Sequence, residues 1–261
     1  MKLPLPLLLS LAAWPGGVAA QQLAPVTDTL PGTRLRWEMV PVSGGTVVVP
    51  SGRGVDTVAV ASFWIGRTEV PWELYDVFYL RLDLPREERA TVDARARPSR
   101  PYGAPDRGFG HRGYPVISIA HDAAVRFAAW LSERTGHRYA VPTDAQWQRA
   151  ADLAIAVPTP GSAGHAWSRA NADGTTHPVA ALAPDALGLH DLLGNAGEWV
   201  TGQDGTPWLR GGTFLPPVVA LVPARRAREQ PAWNQTDPQV PKSRWWLSDG
   251  PFAGLRLVRL P

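Results

Sequence analysis

The sequence predicts a single loop-rich domain in which short strands alternate with a few helices, and three observations carry that reading. Of 261 residues, 25 are Gly and 27 are Pro, so the backbone turns often and its connections are stiff. Twelve Trp residues supply large, rigid side chains to anchor such loops. Apolar periodicity switches between the strand and helix spacings within short segments and never holds for long. With 44% hydrophobic and 19% charged residues, the chain carries enough apolar material for a sizeable core, and wholesale disorder is excluded. No internal repeat or linker divides it, so one domain is expected.

Partners are bounded by charge. The formal net charge is +3, and Lys2 and Lys242 are the only lysines, so the pI of 9.6 reflects arginine rather than a basic patch. No run of five like charges occurs, which speaks against nucleic acid. At the N-terminus, Lys2 precedes the apolar stretch LPLPLLLSLAAW and then PGGVAA, with small Val18 and Ala20 ahead of Gln21. Residues 1–20 are therefore expected to be a secretory signal peptide, too short to span a membrane, and the mature protein extracytoplasmic (periplasmic or secreted). Exported proteins often use disulfides, but this chain has no Cys.

Residues 21–35 read as a polar, Pro-containing leader. RWEMVPV (36–42) and GTVVVPSG (45–52) read as strands joined in a hairpin at Ser43-Gly44, followed by the strand FWIGRTEV (63–70). WELYDVFYLRL (72–82) spaces Leu74, Val77, Phe78 and Leu82 as one helical face. Residues 83–113 show no periodicity and form a long loop. HDAAVRFAAWLSERTG (121–136) is the clearest helix, with Asp122 near its start and Gly136 as its stop. HRYAVP (137–142) reads as a short strand. TDAQWQRAAD (143–152) opens a second helix, with Thr143 and Gln146 in capping-box spacing. Beyond residue 153 come short strands and turns, ending in the alternating strand GLRLVRL.

Two motifs fail on context. GFGHRG (108–113) matches a dinucleotide-binding glycine pattern, but no strand precedes it and YPV follows where a helix would begin. His121-Asp122 lacks a G-x-S-x-G partner and sits at a helix start, where a surface or capping role is the simpler reading.

In order along the chain, FWIGRTEVPWELY, YPVISIAHDAAVRFAAWLSERTGHRYAVPTDAQWQRAA, GLHDLLGNAGEWV, RGGTF and GLRLVR resemble the successive motifs of the formylglycine-generating enzyme (sulfatase-modifying factor) domain family. The resemblance spans residues 36–261. It implies an α+β, C-type-lectin-like fold rich in irregular structure. It further implies calcium ligands at Asp191 and Glu198 (side chains) and at Gly194 and Ala196 (carbonyls), chemistry that suits an oxygen-seeking ion. A second family calcium site would fall near Asn171 and Ala172, but the following segment is short and is not expected to bind. The family's copper-ligating cysteines correspond to Pro216 and Leu221, neither of which can ligate a metal. No copper is expected.

Thr213, Arg228, Trp233, Trp245 and Trp246 are expected to border the family's substrate groove, although large aromatics are as often core. Asn234-Gln235-Thr236 is a formal glycosylation sequon. The reading that follows is an exported, calcium-stabilised binding or structural module for a peptide or glycan, without formylglycine-generating activity. The alternative is an oxidoreductase-type enzyme of unknown reaction on the same fold.

Overall fold

The computed structural model describes residues 23–51, 54–93, 95–155 and 165–261; the expected signal peptide lies outside them. Strands β1 (Val26–Thr29), β2 (Arg36–Val42), β3 (Gly45–Ser51), β4 (Gly54–Val60) and β5 (Phe63–Gly66) lead into helix α1 (Trp72–Tyr79). After the long loop come α2 (His121–Thr135), β6 (Arg138–Ala140) and α3 (Asp144–Ala154). The last third holds β7 (Gly197–Thr201), β8 (Pro207–Arg210), β9 (Ala227–Arg228), β10 (Ala253–Gly254) and β11 (Val258–Leu260). A five-stranded sheet runs β1-β2-β5-β11-β6, a four-stranded sheet runs β10-β7-β8-β9, and β3-β4 stand as a separate ribbon.

The leader is more structured than its composition suggests. Residues 26–29 pair antiparallel with β2, and Asp28 is buried, accepting hydrogen bonds from the Tyr139 hydroxyl and, at 2.5 Å, from Arg259 Nη1. Two partners make a buried carboxylate tolerable, so β1 is tied to the sheet edge. The expected 36–42/45–52 hairpin does not form. Both strands exist, but β2 pairs with β1 and β5, while β3 pairs with β4. Crowding at the Ser43-Gly44 bend shows why the chain leaves the sheet there: a Cβ on Gly44 would sit 2.7 Å from the Val60 carbonyl oxygen, and one on Gly45 2.8 Å from the Arg149 guanidinium carbon.

Helix α1 ends earlier than its apolar spacing predicts, because Arg81 turns left-handed at φ 58° and Leu82 is left exposed. Helix α2 stops at Gly136, whose φ of 74° suits glycine. Its cap position is Ala120, with Asp122 in the first turn. Helix α3 opens with the expected capping box, Thr143 and Gln146 bonding reciprocally. Trp130 and Trp147, one on each helix, both point inward.

The main core gathers α1, α2 and the inner faces of the sheets around Trp72, Tyr75, Phe78, Phe127 and Trp199. A second cluster, under Trp147, joins α3 to the back of the five-stranded sheet. The C-terminal segment departs from simple alternation: Leu255, Arg256, Leu257 and Val258 are all buried. The reason is the partner that Arg256 finds. Among the described residues, no helix is long and apolar enough to cross a membrane.

Candidate functional site

The turn 191–198 is built from left-handed backbone. Asp191, Gly194 and Asn195 have φ of 55°, 86° and 50°, a clustering that favours Gly and Asn. At Gly194 the requirement is also steric, since a Cβ would lie 2.2 Å from the Trp167 carbonyl oxygen. Asn195 is fully buried and closes the turn. Its Oδ1 accepts from the His177 amide at 2.9 Å, its Nδ2 donates to Glu69 Oε2 at 3.1 Å, and its amide donates to the Trp167 carbonyl at 3.1 Å. Glu69 also accepts the Ala196 amide at 2.9 Å.

Behind this turn lies a buried web of charge. The Arg256 guanidinium donates to Glu198 Oε1 at 2.7 Å, to the Gly66 carbonyl at 2.9 Å and to the His190 carbonyl at 2.7 Å. The Trp147 indole donates to Glu198 Oε2 at 2.6 Å, so both Glu198 oxygens have partners. Burial opposes the charge on Arg256, but Glu198, Glu69 and Asp191 outweigh it and hold its pKa above the ordinary value. Burial pushes Glu69 well above the usual carboxylate range, and Asp191 adds to the rise. Three buried carboxylates thus share one guanidinium. Neither Glu69 nor Arg256 stood out in the sequence, because the partners that bury them come from distant segments.

The residues at the turn fit calcium in part. Asp191 is 2% exposed; its Oδ2 accepts the Ala180 amide at 2.8 Å, and its Oδ1 is buried with no hydrogen-bond partner. A buried orphan carboxylate oxygen beside an excess of negative charge suits a cation. Burial raises the Asp191 pKa, against the Ala180 amide and Arg256. Glu198, by contrast, faces Arg256 and Trp147, and among the described residues no three His, Asp or Glu side chains converge as a metal cluster. At the second expected position, Asn171 Oδ1 accepts the Ser168 amide at 2.8 Å and the Ala172 carbonyl lies 3.0 Å from His177 Nε2.

The predicted groove residues separate. Thr213 and Trp233 line one slot of about 150 Å³ with Leu209, Leu215, Ala227 and Phe252. Arg228 borders a different depression, beside Trp208 and Asp204. Trp245 and Trp246 are each 3% exposed and belong to the core, where Trp246 packs edge-on against Tyr75 and Tyr79 and donates to the Ser99 carbonyl at 2.8 Å. Leu221 is buried against Gly212, where a Cβ would meet its Cδ2 at 2.4 Å. An apolar residue at that position, Pro at 216 and the lack of any Cys do not fit copper.

Other expectations resolve simply. His121 Nε2 lies 3.0 Å from Thr201 Oγ1 while Asp122 pairs with Arg244, so the two do not act together. In GFGHRG, His111 bridges Asp106 and Asp76 at 2.9 and 2.8 Å and stacks on Trp72, a structural clamp between loop and helix α1. The Asn234 amide is engaged, accepting from the Ser248 amide at 2.9 Å and donating to the Ser243 carbonyl at 3.3 Å.

The comparisons with known proteins join these observations. The sulfatase-modifying factor enzyme 1-like domain matches residues 27–238, which takes in most of β1, the turn and the slot's lining apart from Phe252. The chain belongs to the sulfatase-modifying factor family. Its fold is that family's α+β architecture, with short curled sheets and much irregular structure between them. Treponema denticola variable protein 1 is similar, with a TM-score of 0.64 at 18% identity over 92% of this chain and 100% of that one. PvdO from Pseudomonas aeruginosa gives 0.60 at 22% identity over 86% and 94%. CarF gives 0.56 at 21% over 86% and 98%. At these identities the likeness is one of fold. A serine/threonine-protein kinase, pkn1 of Chlamydia pneumoniae, is 34% identical over 94 residues, covering 34% of this chain and 14% of that protein.

Proposed function

We propose that this sulfatase-modifying-factor domain is an exported binding module that does not generate formylglycine. One observation carries the reading: the two positions that hold copper in the catalytic members are Pro216 and a buried Leu221, in a chain with no thiol. A copper(I) centre of that kind needs thiolates, which select the soft ion. What the same region does offer is the slot beside Thr213, suited to holding a ligand.

Calcium is part of the proposal as a stabiliser of the turn, with Asp191 as the charged ligand and the carbonyls of Gly194 and Ala196 beside it. The orphan Asp191 Oδ1 supports this. Glu198 would contribute at longer range, through the charge it shares with Arg256. Competition for copper(I) against a chromophoric chelator tests the reading. The chain should take up no stoichiometric copper(I); tight one-to-one uptake would overturn it.

A further inference from the structure

The slot beside Thr213 carries a charge pattern that the module reading leaves unused. Its apolar walls are Leu209, Leu215, Ala227, Trp233 and Phe252, the last two meeting edge-to-face with centroids 5.1 Å apart. The volume of about 150 Å³ is comparable to that of an engineered apolar cavity that admits benzene.

The polar part of the lining is cationic. Arg210, Arg225 and Arg226 all border the slot. Arg210 and Arg226 share one carboxylate, Asp144, which Arg210 Nη1 reaches and to which Arg226 Nη1 donates at 2.8 Å. Arg210 is fully buried, and although its other nitrogens serve Gln148 and the Pro223 carbonyl, its Nε–H is buried without an acceptor. Arg225 makes one long bond, 3.4 Å to the Ala220 carbonyl, and no ion pair among the described residues. Thr213 Oγ1 accepts the Leu215 amide at 3.2 Å, which leaves its hydroxyl proton free to donate. Three guanidiniums border an apolar slot sized for one ring, and Arg225 is the one without a carboxylate in contact among the described residues.

We propose that this slot binds a small aromatic carboxylate, with the ring against the Trp233–Phe252 pair and the carboxylate met by Arg225. The inference rests on the slot being a ligand site, as the module reading holds. An amine would be repelled by the same guanidiniums, and a bare inorganic anion would leave the apolar walls unfilled.

The test uses the full chain and benzoate, followed by tryptophan fluorescence and amide chemical shifts, with benzamide and benzylamine as neutral and cationic controls of the same shape. Benzoate should bind with a Kd at or below about 1 mM, and both controls at least about tenfold more weakly. Arg225→Gln, at an exposed position, should weaken benzoate about tenfold and leave benzamide unchanged. Ala227→Leu should fill the slot and weaken both. Equal affinity for benzoate and benzamide, shifts that miss Trp233 and Phe252, or no saturation by about 10 mM benzoate would overturn the ligand class. Copper(I) uptake, measured separately, bears on the module reading, so the two failures are distinguishable.

Discussion

Arg256 holds Glu198 at 2.7 Å in a site where neither side chain is more than 1% exposed. The pair joins the C-terminal segment to β7, and the Trp147 indole brings α3 to the same carboxylate. Removing one partner of a buried pair leaves an uncompensated charge, at a cost of about 3–5 kcal/mol. Arg256→Met should lose that much stability in urea unfolding. Adding Glu198→Leu should restore part of it, since both charges are then gone. A double variant no more stable than the single one would show that the pair is not the source of the loss.

Trp246 provides a contrast between core and groove. Its burial against Tyr75 and Tyr79 predicts that Trp246→Ala costs about 3–5 kcal/mol. Trp233, half-buried at the slot, should cost distinctly less when truncated. Thermal unfolding of the two variants gives the comparison, and equal losses would contradict the assignment.

His111 sets a pH dependence. Partial burial pulls its pKa down, but hydrogen bonds to Asp76 and Asp106 outweigh it and hold the imidazole above its ordinary 6.5. Both ring nitrogens donate only when the ring is charged. The folded pKa is the higher one, so the stabilisation is complete below the unfolded value of 6.5 and is lost as pH rises through the folded pKa. Because the side chain is 43% exposed, the effect should be below about 1 kcal/mol. Melting temperatures between pH 5.5 and 8.5 should fall more in the wild type than in His111→Gln. Parallel curves would refute the clamp.

Calcium at the turn has a mass-action signature. An ion that binds only the folded chain should add about 2.7 kcal/mol at a hundredfold excess over Kd. Asp191→Asn should abolish the gain, whereas Glu198→Gln should reduce it less, because Glu198 already faces Arg256. Identical melting in chelator and in millimolar calcium would reduce 191–198 to a structural turn.

Much of this was legible in the chain itself, and what was missed has a physical pattern. Helix α3 and its capping box depend on neighbours within one turn, and Thr143 and Gln146 announce them. The glycine of the 194–195 turn is required locally by φ, and its steric reason, the Trp167 carbonyl, comes from a distant segment. Pairing was only partly legible: β2 and β3 were recognisable as strands, yet β2 pairs with β1 and β5 while β3 pairs with β4. Asp28, in the polar leader, and Arg256, in the alternating C-terminal strand, were not singled out, because their buried partners come from distant segments. The slot was half legible. Thr213 and Trp233 meet there, but Arg210 and Phe252 come from β8 and the approach to β10, and no spacing links them.

On the proposed function, this domain keeps the sulfatase-modifying-factor fold without its oxidative chemistry. The most direct measurement is incubation of the purified chain with copper, oxygen and a Cys-x-Pro-x-Arg peptide, read by mass spectrometry. Absence of the Pro216 and Leu221 thiolates predicts a peptide thiol that is not converted to aldehyde above the rate without protein. Conversion to the aldehyde that scales with the amount of protein would contradict the account.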